Sequence, residues 1–296
     1  MRLFVVVLVL VLVGCGANAP AMQTLAAETL GAGCARIDPS FNNIVVTGRW
    51  RDREVPILVD TGANQGSVAP AFAKGLAERP GERVHFAGAS GEIKEAAAYD
   101  VEGLAIGNVT LAKFVAHGDA IADSTGYAFA IGMEHLAPYI VDFDLDGGWF
   151  CLRDRLPDQP ALVPMTLQHQ GKTDDKAITL DVTIGGVAVR SMILDTGAGI
   201  STINEELLPQ LRYRRLGGKV ESIDGSGVRK DEYFVEVDEL CTLGACAPRH
   251  VLMPGEDLSP LVGYMQRGIV GVPFFRARRV ILDFPRQRIG FIAHRG

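Results

Sequence analysis

Alternation of apolar and polar positions, interrupted by glycine, runs through most of this 296-residue chain. Residues 43–53 and 178–190 are both β-branched, alternating runs, bent at Gly48 in the first and at Gly185-Gly186 in the second. Each feeds a second apolar run that ends on an aspartate, Asp60 or Asp195, and each is followed by a short strand-like pair, Ser67-Val68 or Thr202-Ile203. Residues 70–77 and 205–212 predict single short helices. Glycine-bearing hairpins are expected at 88–91 and 225–227, between extended runs. The segment 153–176, with Pro157, Pro160, Pro164 and many charges, predicts the boundary between two halves, with 163–167 already an edge strand of the second. The pattern predicts an all-β chain.

The two halves repeat one another. Ile57-Leu58-Val59-Asp60-Thr61-Gly62-Ala63 recurs 135 residues later as Met192-Ile193-Leu194-Asp195-Thr196-Gly197-Ala198. Ser90-Gly91 answers to Ser226-Gly227, Gly107 to Gly244, Ile131-Gly132 to Val270-Gly271, and Val141-Asp142-Phe143 to Leu282-Asp283-Phe284. The spacing drifts by a few residues, which loops absorb, so the chain is two diverged copies of one unit. Asp142 and Asp283, each placed after an apolar strand, read as turn residues. Gly197-Ala198-Gly199 lacks the third glycine and following helix of a dinucleotide loop.

Composition narrows the function classes. A hydrophobic share of 48% with 22% charged residues is enough for a real core, or two smaller ones, and argues against wholesale disorder. A formal charge of −6 argues against a nucleic-acid partner. His85, His117, His135, His169, His250 and His294 are scattered, without the spacing of a metal site. No metal and no cofactor is implied.

The N-terminus reads as an address. Leu3 to Val13 is apolar and uncharged, too short for the roughly twenty residues of a spanning helix, and predicts a signal peptide over 1–14. It runs into Leu12-Val13-Gly14-Cys15, which resembles the bacterial lipobox. That resemblance implies cleavage before Cys15, lipidation of Cys15 and a membrane-anchored lipoprotein facing the periplasm, on the outer membrane in a Gram-negative host. An ordinary secretory signal containing a cysteine is the alternative. Residues 15–38 then read as the lipidated cysteine and a flexible tether. The remaining Cys34, Cys151, Cys241 and Cys246 are an even number in an exported chain, with three connectivities open. A Cys241–Cys246 bridge would close a turn-like stretch, and Cys34–Cys151 would then staple the first half. Four reduced, buried thiols are the alternative.

A strand delivering Asp-Thr-Gly to a tight turn, completed by a later aliphatic-aliphatic-Gly strand, resembles the active-site signature of aspartic peptidases. Both halves carry both parts, so the chain from about residue 43 to 291 is similar to the retropepsin-like branch with its two subunits fused. The flap candidates 84–93 and 221–228 contain no tyrosine, unlike the first-lobe flap of pepsin-type enzymes. The resemblance implies two pseudo-symmetric lobes, 39–156 and 157–296, with the active site at their interface. It implies an aspartic endopeptidase in which Asp60 and Asp195 share a proton and activate a water against a peptide or protein substrate, with no dimer required. Thr61, Gly62, Thr196 and Gly197 would support the active-site loops. Gly88, Ser90, Gly91, Gly225, Ser226 and Gly227 would lie over an extended substrate. Ala63 and Ala198, where pepsins carry hydroxyls, imply a less acidic optimum. The second reading is a catalytically idle, peptide-binding lipoprotein of the same fold.

Overall fold

The computed structural model describes residues 31–87, 93–119, 122–169, 176–224, 227–255 and 267–294. The expected signal segment, Cys15 and most of the expected tether lie outside the described residues. No helix among the described residues is long and apolar enough to cross a membrane.

Nearly every described element is a strand. The alternation read from Val45–Trp50 and Arg53–Val59 becomes an antiparallel pair, Val45 facing Leu58 and Trp50 facing Arg53. Gly48 is required there because a Cβ would press on the Ala105 carbonyl oxygen at 2.7 Å. This pair belongs to a nine-stranded sheet that contains every strand from Val45 to Gly118 together with Phe129–Ile131. The second half builds an eight-stranded sheet around Lys176–Ile184 and Val187–Leu194, and pairing of Lys176–Ile184 with Val235–Thr242 closes it on itself. One continuous apolar core runs through both halves, including Ile57, Phe129, Phe143, Leu194, Phe274 and Leu282.

A third, six-stranded sheet joins the halves. Its centre is the antiparallel pair Ile140–Asp144 and Arg278–Asp283, with Val141 opposite Leu282. Three expectations change here. First, the chain expected as tether is already folded at its end: Cys34–Arg36 is an edge strand on Trp149–Arg153, and Cys34 is bonded to Cys151. Second, residues 163–167 divide between two sheets. Val163–Pro164 pairs with Arg288–Ile289 in the joining sheet, where an edge tolerates proline, and Thr166–His169 pairs with Lys176–Thr179 in the second half. Third, Asp142 is no turn residue. It lies mid-strand, fully buried, and accepts from Arg153 Nε at 2.8 Å and from Arg279 Nε and Nη2 at 2.7 and 2.9 Å. Asp283 does act in a turn, accepting the Arg286 N–H at 3.1 Å.

The short helices run only one or two turns. Pro70–Ala73 is α-helical and gives way to a strand at Ala77. Glu205–Gln210 is a 3₁₀ helix, capped by Asn204 Oδ1 on the Glu206 N–H and carrying Pro209 inside.

The second disulfide, Cys241–Cys246, spans a sequence separation of 5, against 117 for Cys34–Cys151. In the chain-entropy account a cross-link stabilises by restricting the unfolded chain, more for longer loops. Replacing Cys34 and Cys151 by serine is expected to cost about 2–4 kcal/mol, and replacing Cys241 and Cys246 clearly less. Urea denaturation of the two double variants measures both losses; equal losses would show that loop length does not set them.

Candidate active site

The two repeated loops meet at the centre of the molecule. Each aspartate is delivered by a strand and held by the later aliphatic strand: Asp60 N donates to Ile131 O at 3.0 Å, and Asp195 N to Val270 O at 3.1 Å. The following threonines are almost wholly buried and reach across. Thr61 N donates to Thr196 Oγ1 and Thr196 N to Thr61 Oγ1, both at 3.0 Å. Each hydroxyl then donates to a carbonyl of the opposite half, Thr61 Oγ1 to Leu194 O at 2.9 Å and Thr196 Oγ1 to Val59 O at 2.6 Å. Four bonds thus close a compact knot beneath the aspartates.

The glycines make room for the carboxyls. A Cβ on Gly62 would collide with the Asp195 carboxyl, and one on Gly197 with that of Asp60. Asp60 Oδ1 accepts the N–H groups of Gly62 and Ala63 at 2.9 and 3.1 Å. Asp195 Oδ1 accepts those of Gly197 and Ala198 at 2.7 and 3.1 Å. The two carboxyls therefore face one another, each standing against the glycine of the opposite loop, and each perturbs the proton affinity of the other. Burial raises Asp60 above the ordinary carboxylate value of 3.8, opposed by the hydrogen bonds it receives. Burial and the Asp60 charge raise Asp195 well above it. Both residues keep some exposed surface. Two carboxyls this close cannot both ionise at little cost, so they hold one proton between them. Such a pair can take a proton from water on one oxygen while giving one from another.

The other expected site residues fall differently. The strands Ala77–Ala87 and Ile93–Val101 pair as a hairpin, and Val220–Ile223 pairs with Arg229–Glu232. Gly88, Ser90, Gly91, Gly225 and Ser226, which fall between these paired strands in sequence, lie outside the described residues, as does Cys15. Gly227 is described, in a positive-φ turn whose N–H donates to Asp224 O at 2.9 Å.

Several contributors carried no sequence signal. Asn43 Nδ2 donates to Gly197 O at 2.8 Å and Ile44 N to Thr196 O at 3.1 Å, so the chain ahead of the first repeat braces the second loop. Beside Asp60 lies a buried third carboxylate, Asp119, which accepts from Tyr127 OH at 2.7 Å and Ser67 Oγ at 3.1 Å and adds to the negative potential on Asp60. Burial and Asp119 together push the Tyr127 phenol up. One group among the described residues has metal-like composition, Glu239 with Cys241 and Cys246, but its sulfurs are joined in the disulfide and cannot ligate as thiolates.

Residues 46–133 match the family model for aspartyl proteases. The match includes Asp60, Thr61, Gly62 and the Ile131-Gly132 strand end, and supports a protease chemistry of the aspartic type. It ends before Asp195, whose place rests on the repeat and on the contacts above. The comparison with curated proteins returned no match.

The shared proton has a consequence for stability. Folding raises the proton affinity of the pair above 3.8, so the folded chain keeps a proton that the unfolded chain has released. Stability contributed by that proton is present at low pH and is lost as pH rises through the raised value. Asp195→Asn removes the titrating group. Its melting temperature, measured against the wild type, is expected to improve steadily from about pH 4 to neutrality. A constant difference over that range would mean the two carboxyls do not share a proton.

Proposed function

We propose that the protein is an aspartic endopeptidase whose catalytic pair, Asp60 and Asp195, comes from two lobes of one chain. The observation that carries this reading is the placing of the two carboxyls against each other's loop glycines, each cradled by two N–H groups of its own loop. One carboxylate takes a proton from a water lying between the pair, and the water oxygen attacks the peptide carbonyl carbon. The protonated partner gives its proton to the carbonyl oxygen, forming a gem-diol. Collapse of that diol breaks the C–N bond, the leaving nitrogen is protonated, and one proton remains on the pair. No covalent intermediate and no second chain is needed.

Thr61 and Thr196 hold the two carboxyls in register, and the strand pairs Ala77–Ala87 with Ile93–Val101 and Val220–Ile223 with Arg229–Glu232 are the arms of flaps that lie over an extended peptide. With alanine at 63 and 198, no side-chain hydroxyl helps the ionised form there. Only backbone N–H groups do, which supports an optimum less acidic than that of pepsin-type enzymes. The lipobox-like Leu12-Val13-Gly14-Cys15 supports export and anchoring through Cys15, with the protease facing the periplasm. The oxidised Cys34–Cys151 and Cys241–Cys246 fit that compartment.

The test is proteolysis of an unfolded protein by the detergent-solubilised full chain across mildly acidic to neutral pH, beside Asp60→Asn and Asp195→Asn and with a statine-type inhibitor. Each substitution is expected to lower cleavage by at least about a thousandfold. Cleavage that survives either one excludes the shared pair as the catalyst. Absence of both cleavage and inhibitor binding in the wild type points instead to an idle peptide-binding lipoprotein.

A further inference from the structure

Each Asp-Thr-Gly-Ala loop rests on a glycine from the strand behind it. Gly132 packs so closely on the first loop that a Cβ would lie 2.7 Å from Ala63 O, and Gly271 on the second at 2.7 Å from Ala198 O. The next residues bind those same carbonyls, Met133 N to Ala63 O at 2.8 Å and Val272 N to Ala198 O at 2.9 Å. The amides of these glycines are buried beyond the ends of their strand ladders and need acceptors. The two halves supply them differently. Gly132 N donates to His135 Nδ1 at 3.1 Å. Gly271 N donates to Ser201 Oγ at 3.0 Å, and that hydroxyl lies 2.9 Å from His250 Nε2.

Both histidines are buried, His135 at 7% and His250 at 4% exposure. His135 follows Gly132 by three residues, and the residue three after Gly271 is Phe274, against whose ring His250 packs edge-on at 6.2 Å. His135 itself packs edge-on against Phe114 at 4.2 Å. Gly132 O also lies 3.3 Å from His135 Nδ1, but that carbonyl already accepts the His135 N–H at 3.1 Å. The Gly132 amide has His135 Nδ1 as its acceptor, so we assign the ring proton to Nε2.

We propose that neutral His135, by accepting the Gly132 amide proton, is a positioning residue for the Asp60 loop, and that its protonation releases that loop in acid, in addition to the protonation of the pair itself. A protonated imidazole has no acceptor at Nδ1, so the Gly132 bond must break and the support under Ala63 loosens. Burial pushes His135 down to about 4. The groups around the ring are Glu134, whose Oε1 is 3.4 Å from Nε2, and Lys113 and Tyr139, which line a cavity of about 220 Å³ with His135 and Phe114. The second half is better protected. His250 is also pushed down to about 4, by burial and by Arg278, whose guanidinium lies 4.3 Å over the Phe274 ring. Protonating His250 leaves Ser201 Oγ with a lone pair still open to the Gly271 amide, so only the Asp60 half loses its bond outright.

The proposal deepens the peptidase reading, and its first test does not depend on activity. In the ¹⁵N-labelled full chain carrying Asp60→Asn and Asp195→Asn, the pair no longer titrates. The Gly132 amide resonance is then expected to move with the same midpoint as the His135 ring, with Nδ1 the unprotonated nitrogen near neutrality. A Gly132 signal that ignores the His135 titration, or a proton on Nδ1 near neutrality, overturns the proposal.

The kinetic test compares His135→Asn, whose amide oxygen can accept at every pH, with His135→Phe, which keeps a ring but no acceptor. His135→Asn is expected to keep kcat near neutrality and to lose activity less steeply than the wild type as the pH falls, because only the pair still titrates there. His135→Phe is expected to lose about tenfold in kcat with KM little changed. An unchanged acid limb in His135→Asn overturns the proposal, as does a wild-type kcat in His135→Phe. If His135→Phe does not fold, the resonance titration and His135→Asn still decide. A wild type that cleaves nothing removes the peptidase reading and leaves the resonance test standing.

Discussion

The reciprocal bonds of Thr61 and Thr196 are the constraint on which the rest of the site depends. Each threonine spends both its amide and its hydroxyl on the opposite half, and both are almost fully buried. Any shift of one loop against the other leaves at least two of these groups without partners, at about 1–3 kcal/mol for each. Their collective cost makes separation of the loops expensive, although each bond by itself is ordinary. That rigidity is what lets two carboxyls sit in contact, an arrangement their own electrostatics oppose.

The joining sheet supplies the longer lever. Ile140–Asp144 and Arg278–Asp283 hold the halves together along five paired positions, and Asp142 ties Arg153 of the first half to Arg279 of the second. A fully buried carboxylate is costly unless its oxygens are filled, and here both oxygens are taken by guanidinium donors. Arg279 extends the chain of charge to Asp158 in the connecting segment. The proline-rich stretch between the halves is therefore fastened as it leaves the first half and, through Val163–Pro164, again as it reaches the joining sheet.

Where the chain repeats itself, its sequence was readable. Asp-Thr-Gly-Ala at 60 and at 195 pointed to two loops, and the contacts between them follow from that identity. The strands leading to them were legible because their alternation has a period of two and their bends carry glycine. Asp142 was misread because an aspartate after an apolar run resembles a turn signal. Its partners Arg153 and Arg279 stand 11 and 137 residues away, a separation no local pattern reveals. The Cys34–Arg36 strand was hidden in a small-residue stretch for the same reason, since only its pairing with Trp149–Arg153 makes it a strand. His135, Ser201 and His250 fall where the copies have diverged, so comparing the halves could not show that one glycine amide is served in two ways.

That divergence gives the two aspartates unlike surroundings. On the Asp60 side, sheet pairing sets Leu58, Ala130, Ser67 and His117 beside one another, strand by strand. On the Asp195 side the matching series is Ile193, Ile269, Thr202 and Met253. Two residues beyond His117 lies Asp119, and two beyond Met253 lies Gly255. The first series ends on a buried carboxylate, the second on no side chain at all. The two positions available to a shared proton are therefore not equivalent, because the Asp119 charge disfavours a second charge on Asp60 while the Asp60 charge disfavours one on Asp195. The two loops are alike, yet their surroundings carry this asymmetry. Here it comes from what flanks the repeats, the part of each copy left free to change.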